Sequence, residues 1–309
     1  MCTPDTNRIG ALTARWRRLL LSTLPLALFL AAGCASEKAR GLPEVEAPRK
    51  VEEVGQPKAE EPPKAESPPQ GQEAPTVRKT APPIEQEPVS FNDPPREYVT
   101  REMGKWIVLV EKELVDEEPD LAERALARFE KLLGKAFEAF PSSARAPLDR
   151  LRFFLMYGEK SKRGGRNNGL EYFQRTAPEH YKQLDSRMAS SVLVYSATNW
   201  DWLPESRALK ALVHELSHAY HLEQWEELRP DIYDVWQNAK NLGLYRNVED
   251  EDRKVLEQGY ALQNHLEYFA ELSAIYFVGG YYKPFTREEL QKYDPAGYAL
   301  IRKIWQISD

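Results

Sequence analysis

The chain has 309 residues, of which 42 are basic and 48 acidic, giving a formal net charge of −6, with 42% hydrophobic and 11% aromatic residues. That length and apolar content suffice for a substantial core, while the acidic balance removes any electrostatic reason to expect a nucleic-acid partner. Two cysteines, Cys2 and Cys34, exclude a scaffold stapled by disulfides, so folding must rest on ordinary packing.

Residues 1–33 have the layout of an export signal. Arg8, Arg15, Arg17 and Arg18 precede an apolar run from residue 19 to 32, shorter than the ~20 residues of a membrane-spanning helix. The run ends in Leu30-Ala31-Ala32-Gly33-Cys34, which resembles the lipobox of bacterial lipoproteins. The resemblance implies cleavage before Cys34, lipidation of that cysteine and anchoring at a bacterial cell-envelope membrane. Ala35 in the next position implies the outer membrane, with the chain facing the periplasm or the exterior. Loss of residues 1–33 removes four arginines and one aspartate, so the charge moves from −6 to −9.

Residues 34–95 hold 13 of the 23 prolines, many glutamates and lysines, and no aromatic before Phe91. Such a segment buries too little apolar surface to offset its ordering entropy and reads as a disordered, partly polyproline-like tether. Residues 96–309 contain every tryptophan except Trp16 and read as one domain.

Within that domain residues 106–110 form a short β-branched run that reads as a buried strand. Pro119 then opens an amphipathic helix with Leu121, Ala125, Phe129, Leu132, Leu133 and Phe137 along one side. Residues 152–157 and 192–195 read as two further strands. The stretch between them, KSKRGGRNNG at 160–169, reads as a mobile, solvated loop. After Pro204, Leu209, Leu212, Val213, Leu216 and Tyr220 recur at helical spacing, and further helices follow near 230–241, 264–277, 286–292 and 295–306. The expected fold is α+β, a small mixed sheet packed on helices with a helix-rich C-terminal part.

The helix after Pro204 carries His214-Glu215-Leu216-Ser217-His218, an HExxH pattern. At about 100° per residue the two histidines lie within about 40° of each other, on the border of the apolar stripe. Catalytic zinc takes three protein ligands and leaves a fourth position for water, so these histidines meet two of the requirements, and Glu215 can act as general base on the water. The pentapeptide alone leaves open a buried helix whose histidines only hydrogen-bond. A third ligand must come from elsewhere. The metzincin pattern needs glycine at 221 and histidine at 224, but the chain has His221 and Gln224. His221 lies about 10 Å along the axis from His214, too far to close a tetrahedron, and reads as a structural histidine. On a later helix Glu267 can ligate while Glu271, one turn on, accepts a hydrogen bond from a ligating imidazole. An equally open reading has Asn264 and Glu267 as a capping box and Glu271 as surface charge. His180 reads as a loop residue, and His265 as pointing away from any metal.

HELSH followed by Tyr260-Ala-Leu-Gln-Asn264-His-Leu-Glu267-Tyr-Phe-Ala-Glu271 resembles the gluzincin zinc metallopeptidases related to the catalytic domain of anthrax lethal factor and the Pro-Pro endopeptidases. The likeness covers mainly residues 205–277. It implies one zinc per chain held by His214, His218 and Glu267, with Glu271 behind them, Glu215 as base and Tyr260 as the phenol supporting the oxyanion or leaving group. It therefore implies a membrane-anchored zinc metalloendopeptidase with a peptide or protein substrate. His265 departs from the acidic residue of lethal factor, and nothing resembles the toxin's accessory domains, so specificity does not transfer. The alternative is a non-catalytic lipoprotein binding module with a structural or vestigial metal site.

Overall fold

The structure, a computed structural model, describes residues 90–92, 95–225 and 229–308. The export signal, Cys34 and the tether up to residue 89 lie outside the described residues. The elements in chain order are β1 (Tyr98–Met103), β2 (Trp106–Glu111), α1 (Lys112–Glu117), α2 (Pro119–Ala139), β3 (Arg152–Leu155) and β4 (Leu170–Phe173). Next come α3 (Ala177–His180), β5 (Ser191–Val194), α4 (Ala197–Trp202), α5 (Glu205–Gln224) and α6 (Pro230–Asn241). The chain ends with β6 (Arg246–Glu249), β7 (Val255–Gln258), α7 (His265–Phe277), α8 (Arg287–Tyr293) and α9 (Pro295–Ile304). The fold is α+β, as the sequence pattern leads one to expect.

The larger sheet runs β1-β2-β3-β5-β4. Its centre is parallel and both edge strands are antiparallel to their neighbours. Side chains alternate along each strand, so Val110, Phe153 and Val192 face α2 and α4. There Phe129 meets Phe153 at 5.1 Å and Trp200 at 5.6 Å. Leu109, Phe154 and Leu193 face the other way, into a second cluster with Phe173, Met188 and Tyr195. Phe91 belongs to this cluster; it is 3% exposed, and its N–H donates to the Gln183 carbonyl at 2.8 Å. The packed domain therefore includes residues that composition alone assigned to the tether, because one aromatic in a proline-rich run does not reveal the pocket it fills.

The loop at 160–169 is pinned rather than free. Arg96 and Glu111, with side chains 1% and 2% exposed, form a buried ion pair beneath it. Arg96 also donates to Ser161 Oγ at 3.2 Å and to the carbonyls of Arg163 at 3.2 Å and Gly164 at 2.6 Å. Glu111 in turn accepts the N–H of Tyr157 at 2.9 Å. Gly165 passes so close to Gly158 that a Cβ would stand 2.2 Å from its carbonyl oxygen, so glycine is needed for closure. The charges that read as solvated surround a buried anchor whose partner lies on β1's approach, far away in sequence.

α5 lies between the sheet and the C-terminal helices. On the helical side Trp305 stacks on Tyr220 at 4.1 Å and on Phe140 at 4.7 Å, and donates its Nε1–H to Ser273 Oγ at 2.9 Å. This ties α5 to α7 and to the chain after α9. No helix of the described residues is long and apolar enough to cross a membrane.

Candidate metal centre

α5 begins at Glu205, whose carboxylate accepts from Lys131 at 2.7 Å and from Lys135, both on α2. Negative charge in the first turn also suits the helix dipole. Leu212, Val213, Leu216, Ala219 and Tyr220 bury the apolar stripe. At the edge of that stripe His214 and His218 present ring centroids 4.8 Å apart and Nε2 atoms 3.1 Å apart.

α7 starts on Asn264, whose Oδ1 accepts the N–H groups of Leu266 and Glu267, each at 2.9 Å. The cap uses only the backbone of Glu267. Its carboxylate is left to reach the histidines, with Oε2 3.1 Å from His214 Nε2 and 3.2 Å from His218 Nε2. One turn on, Glu271 Oε1 stands 2.9 Å from His214 Nδ1 and is 4% exposed as a residue. Only the Asn264 half of the expected capping box forms, because the Glu267 carboxylate faces the histidines instead of the Asn264 N–H, and Glu271 is a buried partner of His214 rather than surface charge.

The three atoms form a nearly equilateral triangle with sides of 3.1–3.2 Å. Ligands of a tetrahedral ion bound at about 2.0–2.1 Å stand ~3.3–3.4 Å apart, so the triangle is close to one face of that tetrahedron. Proton bookkeeping points the same way. With Nδ1–H of neutral His214 donated to Glu271, its Nε2 lone pair faces Glu267 and His218, and such converging acceptors repel unless a proton or cation sits among them. Burial opposes an imidazolium at His214, yet the hydrogen bonds to Glu267 and Glu271 outweigh it and raise its pKa well above the ordinary value. Burial likewise opposes ionisation of Glu267, but His218 and His214 hold it below the usual carboxylate range. Two imidazole nitrogens and an ionised carboxylate oxygen converging at this spacing form a donor set that fits zinc.

Glu215 lies on the sheet side of this cluster. Its Oε2 accepts the main-chain N–H of Tyr172 on β4 at 2.8 Å, and the Tyr172 hydroxyl donates to Glu223 further along α5. Burial, aided by Glu267, raises the Glu215 pKa to about 7 against the opposing pull of His214 and His218. Tyr260 opens a 3₁₀ turn, Tyr260–Leu262, and its ring centroid is 5.9 Å from that of His214. Burial and the carboxylates of Glu267, Glu215 and Glu271 push its phenol up, which keeps the proton on it. The structure therefore gathers His214, Glu215, His218, Tyr260, Glu267 and Glu271 at one place.

The remaining histidines stand apart. His221 is fully buried against Phe269 and Trp225, at ring distances of 5.4 and 6.0 Å. His265 packs on Tyr233 and Trp236 of α6, and His180 is exposed at the end of α3. The contribution that residue patterns do not reveal is the N–H of Tyr172, since a backbone donor carries no residue-type signal. No protein-family model matches the chain, and no curated protein matches it significantly.

Proposed function

We propose that this is a zinc-dependent peptidase of the gluzincin type, held at a bacterial envelope membrane, the outer membrane, through lipidated Cys34. The observation that carries the reading is the convergence of His214 Nε2, His218 Nε2 and Glu267 Oε2, backed by Glu271 at His214 Nδ1. When bound there, zinc supplies a Lewis acid that lowers the pKa of a water to about 7 and polarises a carbonyl. Glu215, with one oxygen held by the Tyr172 N–H, takes the proton of the attacking water and passes it to the leaving amine. Tyr260 donates from its protonated phenol to the charge that develops on the scissile carbonyl.

The peptide is taken in extended form along β4. Gly169 and Glu171 turn their main-chain groups toward β5, so alternation directs the Leu170 N–H and C=O and the Tyr172 C=O to the open edge beside α5, the Tyr172 N–H being taken by Glu215. An added strand there would gain main-chain hydrogen bonds independent of its sequence.

The test is metal analysis together with a peptide-library digest of the wild type and Glu215→Gln. The wild type should hold one zinc and hydrolyse peptides. Glu215→Gln should keep the zinc and lose about 10²–10⁴-fold in rate, the usual share of a general base. A wild type without zinc, or a variant that cleaves as fast, would overturn the reading.

A further inference from the structure

Glu171 lies on β4, the outermost strand, opposite Leu193 of β5. Its Cα is two covalent bonds, roughly 2.4 Å, from the nitrogen of Tyr172, and that N–H donates to Glu215 Oε2 at 2.8 Å. The Glu171 side chain therefore starts beside the general base. Alternation turns it to the face that Leu193 occupies. There the Tyr195 hydroxyl donates to Glu171 Oε2, and Arg166 Nη1 donates to the same oxygen at 3.2 Å. The Arg166 guanidinium is held over the Tyr195 ring, 4.1 Å from its centroid, and Tyr195 extends from the end of β5, so both partners come from the inner side of β4. Oε1 has no hydrogen-bond partner among the described residues, and the side chain is 32% exposed. Burial, aided by Glu267, raises the Glu171 pKa in spite of Tyr195 and Arg166, which leaves a carboxylate that gains from a further positive charge.

An antiparallel peptide laid on the open edge of β4 places one of its residues opposite Glu171. Because Glu171 turns its main-chain groups toward β5, that pair is of the close kind without hydrogen bonds, with Cα atoms about 4.5 Å apart and both side chains on one face. Opposite charges in such a pair attract and like charges repel. A strand rises about 3.3 Å per residue and the base stands next to Glu171, so the substrate residue concerned lies within about two positions of the bond cut. We propose that Glu171 is a specificity-determining residue whose open carboxylate oxygen receives the cationic side chain, lysine or arginine, of that substrate residue. The inference rests on the peptidase reading and on entry of the peptide along β4, and it deepens that reading by naming the substrate class, peptides with a basic residue beside the scissile bond. Arg166 and Tyr195 hold the carboxylate in place, and the substrate cation completes its set of partners.

The experiment starts from a peptide that the wild type cleaves in a library digest and places arginine, citrulline or glutamate in turn at each position within two residues of the scissile bond. Citrulline keeps the shape of arginine and removes its charge, so the ratio of kcat/KM for the two peptides reads the charge alone. At one position the wild type should favour arginine over citrulline by about tenfold or more, the share of a charge-assisted hydrogen bond, and should cleave the glutamate peptide most slowly. In Glu171→Gln, which still accepts from the Tyr195 hydroxyl, that ratio should fall to within about twofold of unity. Should Glu171→Gln fail to hold zinc, Glu171→Thr, whose side chain suits an edge strand, takes its place with the same expected ratio. A wild-type ratio within twofold of unity at every position, or a preference for glutamate, would overturn the proposal while leaving the peptidase reading intact. A ratio that survives in the variants would do the same, since the charge would then be read elsewhere. A wild type that holds no zinc and cleaves no peptide overturns the peptidase reading itself, and this inference with it.

Discussion

His214 and His221 lie two turns apart on one face of α5, and their surroundings send them in opposite directions. His214 faces two carboxylates, whereas neither ring nitrogen of His221 has a hydrogen-bond partner among the described residues. Burial, reinforced by His218, His265 and Arg229, lowers the His221 pKa to about 3. An unfolded histidine titrates near 6.5. Between those values the unfolded chain holds a proton at residue 221 that the folded chain does not, so this residue's contribution to stability is complete above pH 6.5 and is lost as pH falls toward 3. The loss approaches about 1.4 kcal/mol per pH unit within that window. Urea unfolding at pH 7, 6 and 5 should show a shallower decline for His221→Phe, whose ring fits among Phe269 and Trp225. Equal slopes for the two proteins would show that His221 takes up no proton on unfolding. The i,i+4 spacings of His214 with His218 and Glu267 with Glu271 were legible because a helix turns a spacing into a shared face. Tyr260 became legible only through a family resemblance, and Tyr172 was not, since it reaches Glu215 through its backbone N–H.

Elements divide along the same line. β2, β3 and β5 occupy the sheet centre, are covered on both faces, and so appear in sequence as apolar runs. β1 carries Arg101 and Glu102, β4 carries Glu171, and β6 begins Arg246-Asn247; each is a strand because a partner pairs with it, which no local pattern records. The pinned loop before β4 has the largest consequence for the site, because β4 supplies the N–H that holds Glu215. Removing one partner of a buried ion pair leaves the other charge unpaired at a cost of about 3–5 kcal/mol. Arg96→Met should therefore destabilise the domain by that order and expose Lys160, Lys162, Arg163 and Arg166 to trypsin. Replacing both partners, as Arg96→Met with Glu111→Leu, should restore part of the stability without restoring the loop's protection. A loss below about 1 kcal/mol in the single variant would place the pair with ordinary surface bridges.

At the scale of the whole domain, the site is assembled from three elements distant in sequence, namely β4 at the sheet edge, α5 in the middle and α7 with its preceding turn on the helical side. Trp305, Tyr220, Phe269 and Ser273 already bind α5 to α7 without a metal. Chelation should therefore not unfold the chain at room temperature. A ligand present at a thousandfold excess over its dissociation constant still adds about 4 kcal/mol to the folded state. For a domain of this size each kcal/mol is worth about 2–4 °C in melting temperature. Melting the wild type with zinc and with excess chelator should then reveal a drop on the order of 8–16 °C. Glu267→Gln removes the one ligand proposed on α7, so its melting temperature should respond little to either addition. The contrast between the two proteins separates ion binding at this site from adventitious binding elsewhere, because only the former requires the carboxylate of Glu267. An equal drop in both would move the stabilising ion away from His214 and His218, and no drop in either would remove zinc from the account of how this domain works.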